Sequence, residues 1–202
     1  MSDREQEFYK LYRPKLFKHL VGQPDAVKML EEMLRKRRVP HALMLTGPSG
    51  CGKTTAARIL KTKLECSDTD FIEINAAESR GIDTVREIQQ RMCLSPMGGK
   101  CRIWLLDEAH SLVSLAQQAL LKILEDTPSH VYFMLATTDP NKLAKTIHTR
   151  CTEIHFGLLS PKDIEDVITR VLEEEKVQLS DEVMQKLVEI AEGSARKVLV
   201  VL

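Results

Sequence analysis

The chain has 202 residues, 43% of them hydrophobic, which suffices to bury a core in one large domain or in a medium and a small one. Its 29 basic and 29 acidic side chains cancel, so no bulk positive field draws it to nucleic acid, and any such contact must come from a local patch. The five cysteines, at 51, 66, 93, 101 and 151, are odd in number and form no C-x-x-C pair, which argues against a disulfide framework and a zinc site and for reduced thiols in a cytosol.

Taken in order, residues 1–7 are polar, and no apolar run approaches the ~18 residues needed to span a bilayer, so neither a signal peptide nor a membrane anchor is expected. Residues 8–20 interleave aromatic and basic side chains around Pro14. Such a stretch can stack on nucleic acid, but aromatics ahead of a core more often pack on its flank, and packing is the expectation. A turn over residues 21–25 leads to a helix expected from Ala26 to Arg37, with apolar positions 26, 27, 30, 33 and 34 on one face. The cations Arg35, Lys36, Arg37 and Arg38 read as its solvated C-terminus, favoured by the helix dipole.

The apolar run Ala42 to Thr46 then delivers Gly47, Pro48, Ser49, Gly50, Cys51, Gly52, Lys53 and Thr54, which match G-x-x-x-x-G-K-[ST] at every fixed position. Helix formers follow from Thr55, so the motif sits between a buried strand and a helix, the context a phosphate-binding loop requires. The glycines let the backbone turn its N–H groups inward, and the helix N-terminus adds partial positive charge. Lys53 can reach the β and γ phosphates and the Thr54 hydroxyl can ligate Mg²⁺, with Thr55 counted in the same nucleotide cradle.

Residues 71–75 alternate as a strand, and a polar connector carrying Ser79 and Arg80 precedes Ile82, Val85, Ile88 and Met92 at helical spacing. That helix N-terminus, with Arg80 beside it and Arg86 one turn on, suits the phosphate of a nucleic-acid strand, although a plain surface helix competes. After a loop over 96–100, the strand Arg102 to Leu106 delivers Asp107 and Glu108. A strand end places Asp107 near the Mg²⁺ shell and leaves Glu108 to orient and deprotonate a water, the second half of a P-loop ATPase site. His110, which completes Asp-Glu-Ala-His, reads as a hydrogen-bonded structural histidine.

A helix from about Leu115 to Asp126 leads to a strand over 131–136, ending at Thr137, Thr138 and Asp139, where a hydroxyl can face the γ-phosphate and its water. Strands alternating with helices describe a parallel sheet covered on both faces. A short strand over 153–156 closes this part, and a domain boundary is expected between Phe156 and Ser160. Ser160-Pro161-Lys162-Asp163 reads as a helix start, Ser180 as the cap of a second helix running to Ala191, and Ser194-Ala195-Arg196 as the opening of a third. That last apolar helix stops without a cap, and a further C-terminal part is expected.

The order of P-loop, Asp-Glu box, Ala136-Thr-Thr-Asp-Pro140, Thr149-Arg150-Cys151 and Gly193-Ser-Ala-Arg196 resembles the AAA+ modules of sliding-clamp loaders. The runs at 11–17, 21–23, 120–126 and 135–143 resemble the bacterial DNA polymerase III gamma/tau subunits, and Ile74 to Asp83 is similar to the small subunits of replication factor C. The resemblance implies an α/β AAA+ P-loop fold: a five-stranded parallel sheet flanked by helices over residues 1–158, then a small helical lid over 159–202, before a collar domain that this chain lacks. It implies that Thr138 is sensor 1, Arg196 is sensor 2, and Arg150 is an arginine finger acting on the ATP of a neighbouring subunit. Arg13 and Val21 would line the adenine pocket, and the helix beginning at Arg80 would track DNA phosphates. Cofactors implied are ATP and Mg²⁺; with only Cys66 where the gamma subunit carries its four-cysteine insert, no zinc is expected. Partners implied are a sliding clamp, primer-template DNA and other loader subunits, in the cytoplasm and on the nucleoid, with no membrane. The missing collar puts stable assembly of this chain alone in doubt.

The leading expectation is an ATPase subunit of a clamp loader. Another AAA+ DNA motor, of branch-migration or initiator type, would be expected to carry a pore loop or winged helix. A nucleotide-binding stator has no need of intact Lys53, Asp107, Glu108 and Thr138, and a small-molecule phosphotransferase would need an acceptor-binding insertion that the short connectors do not suggest.

Overall fold

The computed structural model describes residues 7–202; residues 1–6, the bulk of the polar N-terminus noted above, lie outside the described part. Five strands, β1 (Ala42–Thr46), β2 (Phe71–Asn75), β3 (Arg102–Asp107), β4 (Val131–Thr137) and β5 (Thr152–His155), form one parallel sheet in the order β2-β3-β4-β1-β5. The helices are α1 (Phe8–Leu11), α2 (Pro24–Arg35), α3 (Lys53–Lys63), α4 (Ile82–Met92), α5 (Ser114–Glu125), α6 (Lys145–His148), α7 (Pro161–Glu175), α8 (Asp181–Ala191) and α9 (Ala195–Val201).

Strand side chains alternate between the two faces, and both faces are dry. Ile103 and Leu105 of β3 join Leu43, Leu45, Met134 and Ala136 in a cluster with Ile59 and Leu60 of α3. Trp104 and Leu106 join Met44, Phe133 and Leu135 in a second cluster with Val85 and Ile88 of α4 and Leu120 and Ile123 of α5. Burial on both sides is what makes β1, β3 and β4 read as continuous apolar runs. The α3-side cluster continues without a break into Ile164, Ile168, Leu187, Ala191 and Val198 of α7, α8 and α9. Phe8, Tyr9 and Tyr12 pack against that cluster and Phe17 is buried within it, in line with the packing reading of this stretch. The Tyr12 hydroxyl donates to Glu175, fastening α1 to the end of α7.

Element bounds differ from the sequence reading by one or two residues at several ends. α2 starts at Pro24 rather than Ala26, because proline at the first helical position forfeits no hydrogen bond; it stops at Arg35, and Arg37 turns left-handed at φ 52°. β5 covers residues 152–155, and Phe156 continues alongside β1 with its N–H donating to Thr46 O at 2.8 Å. Ser160 caps α7 through a reciprocal pair with Asp163. Ser180 stands at the N-cap of α8 but makes no side-chain bond there; the carboxylates of Asp181 and Glu182 supply negative charge to that first turn instead.

One buried ion pair had no signature in the sequence. Asp70 and Arg102, 0% and 6% exposed, meet at 3.0 Å beneath the loop over 93–100. Asp70 also accepts from the Met97 and Gly98 N–H groups, and Arg102 donates to the carbonyls of Arg91, Leu94 and Ser95. Among the described residues no helix is long and apolar enough to cross a membrane.

Candidate functional site

At the carboxyl end of β1 the chain turns through Gly47 to Gly52 into α3. Gly47 lies at φ 135°, and a Cβ there would come within 2.0 Å of Phe156 O; Gly50 lies at φ 78°, where a Cβ would meet Ser194 Oγ at 2.0 Å. Positive φ and steric closure both demand glycine at these two positions. The loop is therefore pressed between the end of β5 and the cap of α9.

Lys53, 6% exposed, curls back over the loop and donates to Gly47 O at 2.7 Å and Pro48 O at 2.8 Å. Burial lowers its pKa, and the nearby Glu108 and Asp107 oppose that shift. Thr54, in the first turn of α3, donates its hydroxyl to Asp107 Oδ2 at 3.0 Å, while Asp107 Oδ1 accepts the Glu108 N–H at 3.0 Å. Glu108 follows the strand with left-handed backbone, φ 50° and ψ 43°, uncommon for a residue with a Cβ. Its Oε2 accepts the Thr138 hydroxyl at 3.1 Å, so the ends of β3 and β4 are joined through these two side chains.

A cleft opens in front of these groups, lined by Ser49 to Thr55, Asp107 and Glu108 on one side and by Arg13, Val21 and Arg196 on the other. Tyr9, Tyr12, Leu20, Leu159, Val167 and Val171 give it an apolar wall, and Arg170 adds a further cation. Arg196 stacks over the Tyr9 ring, 6.0 Å from its centroid. Half-buried Arg13 has its pKa lowered, first by burial and then by repulsion from Arg58 and Arg196. Arg13, Lys53 and Arg196 around the loop, beside an apolar wall, favour a ligand with negative charge and an apolar part.

Of the residues singled out in the sequence, the structure gathers Ser49 to Thr55, Asp107, Glu108, Arg13, Val21 and Arg196 around this cleft, with Gly47 and Pro48 at the root of the loop and Thr138 attached through Glu108. Arg150 stands outside it. Its guanidinium bonds to Glu125 through Nε at 3.0 Å and through Nη2, and Nη1 donates to Thr146 O at 2.9 Å. Arg80 and Arg86 are exposed and also lie outside the cleft; Arg80 Nε donates to Ala77 O, and Arg86 pairs with Asp83 at 3.1 Å.

Residues 1–93 match the Rad17 P-loop domain and residues 67–160 match the DNA polymerase III delta subunit family. The DNA polymerase III subunit gamma/tau of Mycobacterium tuberculosis is 34% identical over 96% of this chain and 38% of its own length. The tau subunit of Escherichia coli is 34% identical over 96% of the chain and 33% of its length, and that of Bacillus subtilis 31% over 96% and 38%. The chain is similar to DNA polymerase III gamma/tau subunits over nearly all of its own length. It spans between a third and two-fifths of the length of those relatives. The Thermotoga maritima RuvB branch migration motor superposes with a TM-score of 0.74 at 22% identity, over 93% of this chain and 62% of that one. That likeness establishes the fold, a P-loop NTPase of the AAA+ type.

The cleft is also lined by residues that the sequence did not assign to a site. Tyr9 and Tyr12 lay in the aromatic and basic stretch, but nothing in their spacing showed that one face would pack on the core while the other lined a cleft. Leu159, Val167, Arg170 and Val171 come from the C-terminal helices and their connector; the three apolar ones are indistinguishable by periodicity from ordinary core positions, and Arg170 from an ordinary surface cation.

Proposed function

We propose that this chain is the ATPase subunit of a DNA sliding-clamp loader, coupling ATP binding and hydrolysis to placement of a clamp on primer-template DNA. The observation that carries the reading is the convergence of Lys53, Thr54, Asp107 and Glu108 on one cleft, with Thr138 bonded to Glu108, in a chain similar to the gamma/tau subunits. In this reading the loop N–H groups and Lys53 hold the ATP phosphates, and Lys53 exchanges its two carbonyl partners for phosphate oxygens. The apolar wall with Arg13 and Val21 takes the adenosine.

The Thr54 hydroxyl and the Asp107 carboxylate are hard oxygen donors within 3.0 Å of each other, a pair that fits Mg²⁺. Bound there, the metal would neutralise charge on the phosphates. Glu108 orients the attacking water and takes its proton, and Thr138 holds Glu108 in place. Residues 159–202 act as a helical lid on a 1–158 ATPase domain, with Arg196 reaching the nucleotide from the lid. Arg150, exposed and remote from its own cleft, serves the ATP of a neighbouring subunit in a hetero- or homo-oligomer. Arg80 and Arg86 contact DNA phosphates at the head of α4, and the protein works in the cytoplasm on the nucleoid. Relatedness to gamma/tau at 34% identity supports this over a branch-migration motor, with which only the fold is shared.

The deciding experiment is steady-state ATP hydrolysis with and without primed DNA and a sliding clamp at fixed modest salt. Stimulation that needs both ligands supports the reading; turnover indifferent to both, in a protein that binds ATP, refutes it.

A further inference from the structure

Two adjacent threonines at the end of β4 engage Glu108 in different ways. Thr138 bonds to it directly. Thr137, 0% exposed, has its Oγ1 3.1 Å from His110 Nδ1, and that same Nδ1 is 3.4 Å from Glu108 Oε2. Thr137 Oγ1 accepts the Asp139 N–H at 3.1 Å and keeps a second lone pair, so an N–H at His110 Nδ1 is shared between that oxygen and Glu108 Oε2. His110 therefore fills the gap between a buried hydroxyl and the carboxylate, on a short 3-10 turn that begins immediately after Glu108.

Glu108 needs such support. Its backbone is left-handed, a conformation that persists only where the surroundings over-determine it. A carboxylate on a free side chain would sample several rotamers, and an attacking water would be oriented only in a fraction of them. The Thr138 hydroxyl fixes one contact. A single contact still lets Oε2 swing about the Thr138 hydroxyl, whereas a second one from a separate direction narrows the position of that oxygen. Both contacts fall on Oε2, and Oε1 stays available to a water.

We propose that His110 is a positioning residue for hydrolysis: through Nδ1 it links Thr137 to Glu108 and holds the water-orienting carboxylate in register with the phosphates. The proposal rests on the reading of the cleft as an ATPase site. It assigns the imidazole no proton transfer with substrate and no contact with nucleotide. It predicts that the atom at the Nδ1 position matters and the atom at Nε2 does not.

Three variants of the full chain separate these atoms. His110→Asn keeps a hydrogen-bonding group where Nδ1 stands, His110→Gln places one where Nε2 stands, and His110→Leu keeps neither. For each, the affinity for Mg·ATP is read by titration with a fluorescent ATP analogue. Single-turnover hydrolysis is then measured with primed DNA and a sliding clamp, and folding is checked by thermal unfolding. The expected result is a fall of about tenfold to a hundredfold in the hydrolysis rate for His110→Leu and His110→Gln, recovery to within about threefold for His110→Asn, and nucleotide affinity within about twofold throughout.

Should His110→Leu unfold, the Asn and Gln variants still decide. Equal rates for Asn and Gln, or a loss of ATP affinity in step with rate, overturn the positioning role while leaving the ATPase reading intact. A wild-type chain that binds ATP yet hydrolyses none in any arm overturns the ATPase reading, and this proposal with it.

Discussion

The Thr54 hydroxyl and the Asp107 carboxylate meet at 3.0 Å, tying the first turn of α3 to the end of β3. One residue comes from the P-loop and the other from the acidic box, so the pair sets two hard oxygen donors side by side in the cleft, where a divalent cation would fit. Asp107→Asn and Thr54→Val should each weaken binding of Mg·ATP by about tenfold or more, while affinity for ATP in excess chelator changes little. Calorimetric titration with and without chelator checks this; equal losses under both conditions would remove the metal from the account.

Lys53 is expected to carry much of the phosphate affinity. A charge-assisted hydrogen bond is worth about 1.5 to 3 kcal/mol, so Lys53→Ala should weaken ATP binding by roughly tenfold to a hundredfold or more. The same substitution removes two hydrogen bonds to the loop carbonyls, so thermal unfolding must accompany the binding measurement. Unchanged nucleotide affinity in a folded variant would sink the P-loop assignment.

Arg150 gives the opposite pattern. It lies outside its own cleft and is engaged by Glu125 and Thr146, so Arg150→Ala should leave ATP affinity of the single chain within about twofold. In an assembly it should lower turnover by on the order of 10³-fold, the scale of an arginine supplied in trans. Nucleotide binding by the isolated variant and hydrolysis in the assembly are the two readouts, and a large binding loss in isolation would contradict a role in the neighbouring site.

The Asp70 and Arg102 pair makes a prediction about stability. Removing one partner of a buried pair strands the other, at a cost of about 3 to 5 kcal/mol, so Asp70→Ala should lower the urea midpoint steeply. Hydrogen bonds from Ser67, Met97 and Gly98 and the Arg102 guanidinium outweigh the effect of burial and hold the Asp70 carboxyl well below its ordinary 3.8. The native state therefore prefers the ionised form. The stability gained is complete above the unfolded pKa of 3.8 and is lost as pH falls below it toward the folded value. The advantage of the wild type over Asp70→Asn should accordingly shrink in acid; parallel stability curves from pH 7 to pH 2 would show that the ionised form is not what stabilises the loop.

Much of this architecture was legible in the residues. The five strands and helices α3, α4 and α5 followed from apolar patterning, whereas the short α6 between β4 and β5 was not read; the P-loop and acidic box stood out because their chemistry demands fixed residue types at fixed spacing. Contacts between segments distant in the chain were not legible. Gln23 pairs with both backbone groups of Gly157, Asp70 reaches the 93–100 loop, and Tyr12 reaches Glu175; each uses common polar residues whose partner is selected only by tertiary placement. The absent cap bond at Ser180 makes a related point. A serine ahead of a helix declares a position, and the rotamer it adopts there is settled by its surroundings.

The close approach of Gly50 to Ser194 ties the phosphate-binding loop to the C-terminal helices. The loop sits between Phe156 and the start of α9, and a methyl group added at Gly47 or Gly50 would meet them. Any rearrangement of the loop at these two points is therefore tied to its neighbours, and the C-terminal helices among them share one buried cluster with the sheet. The cohesion of apolar side chains some distance away thus bears on how freely the phosphate-binding loop can rearrange around what it holds.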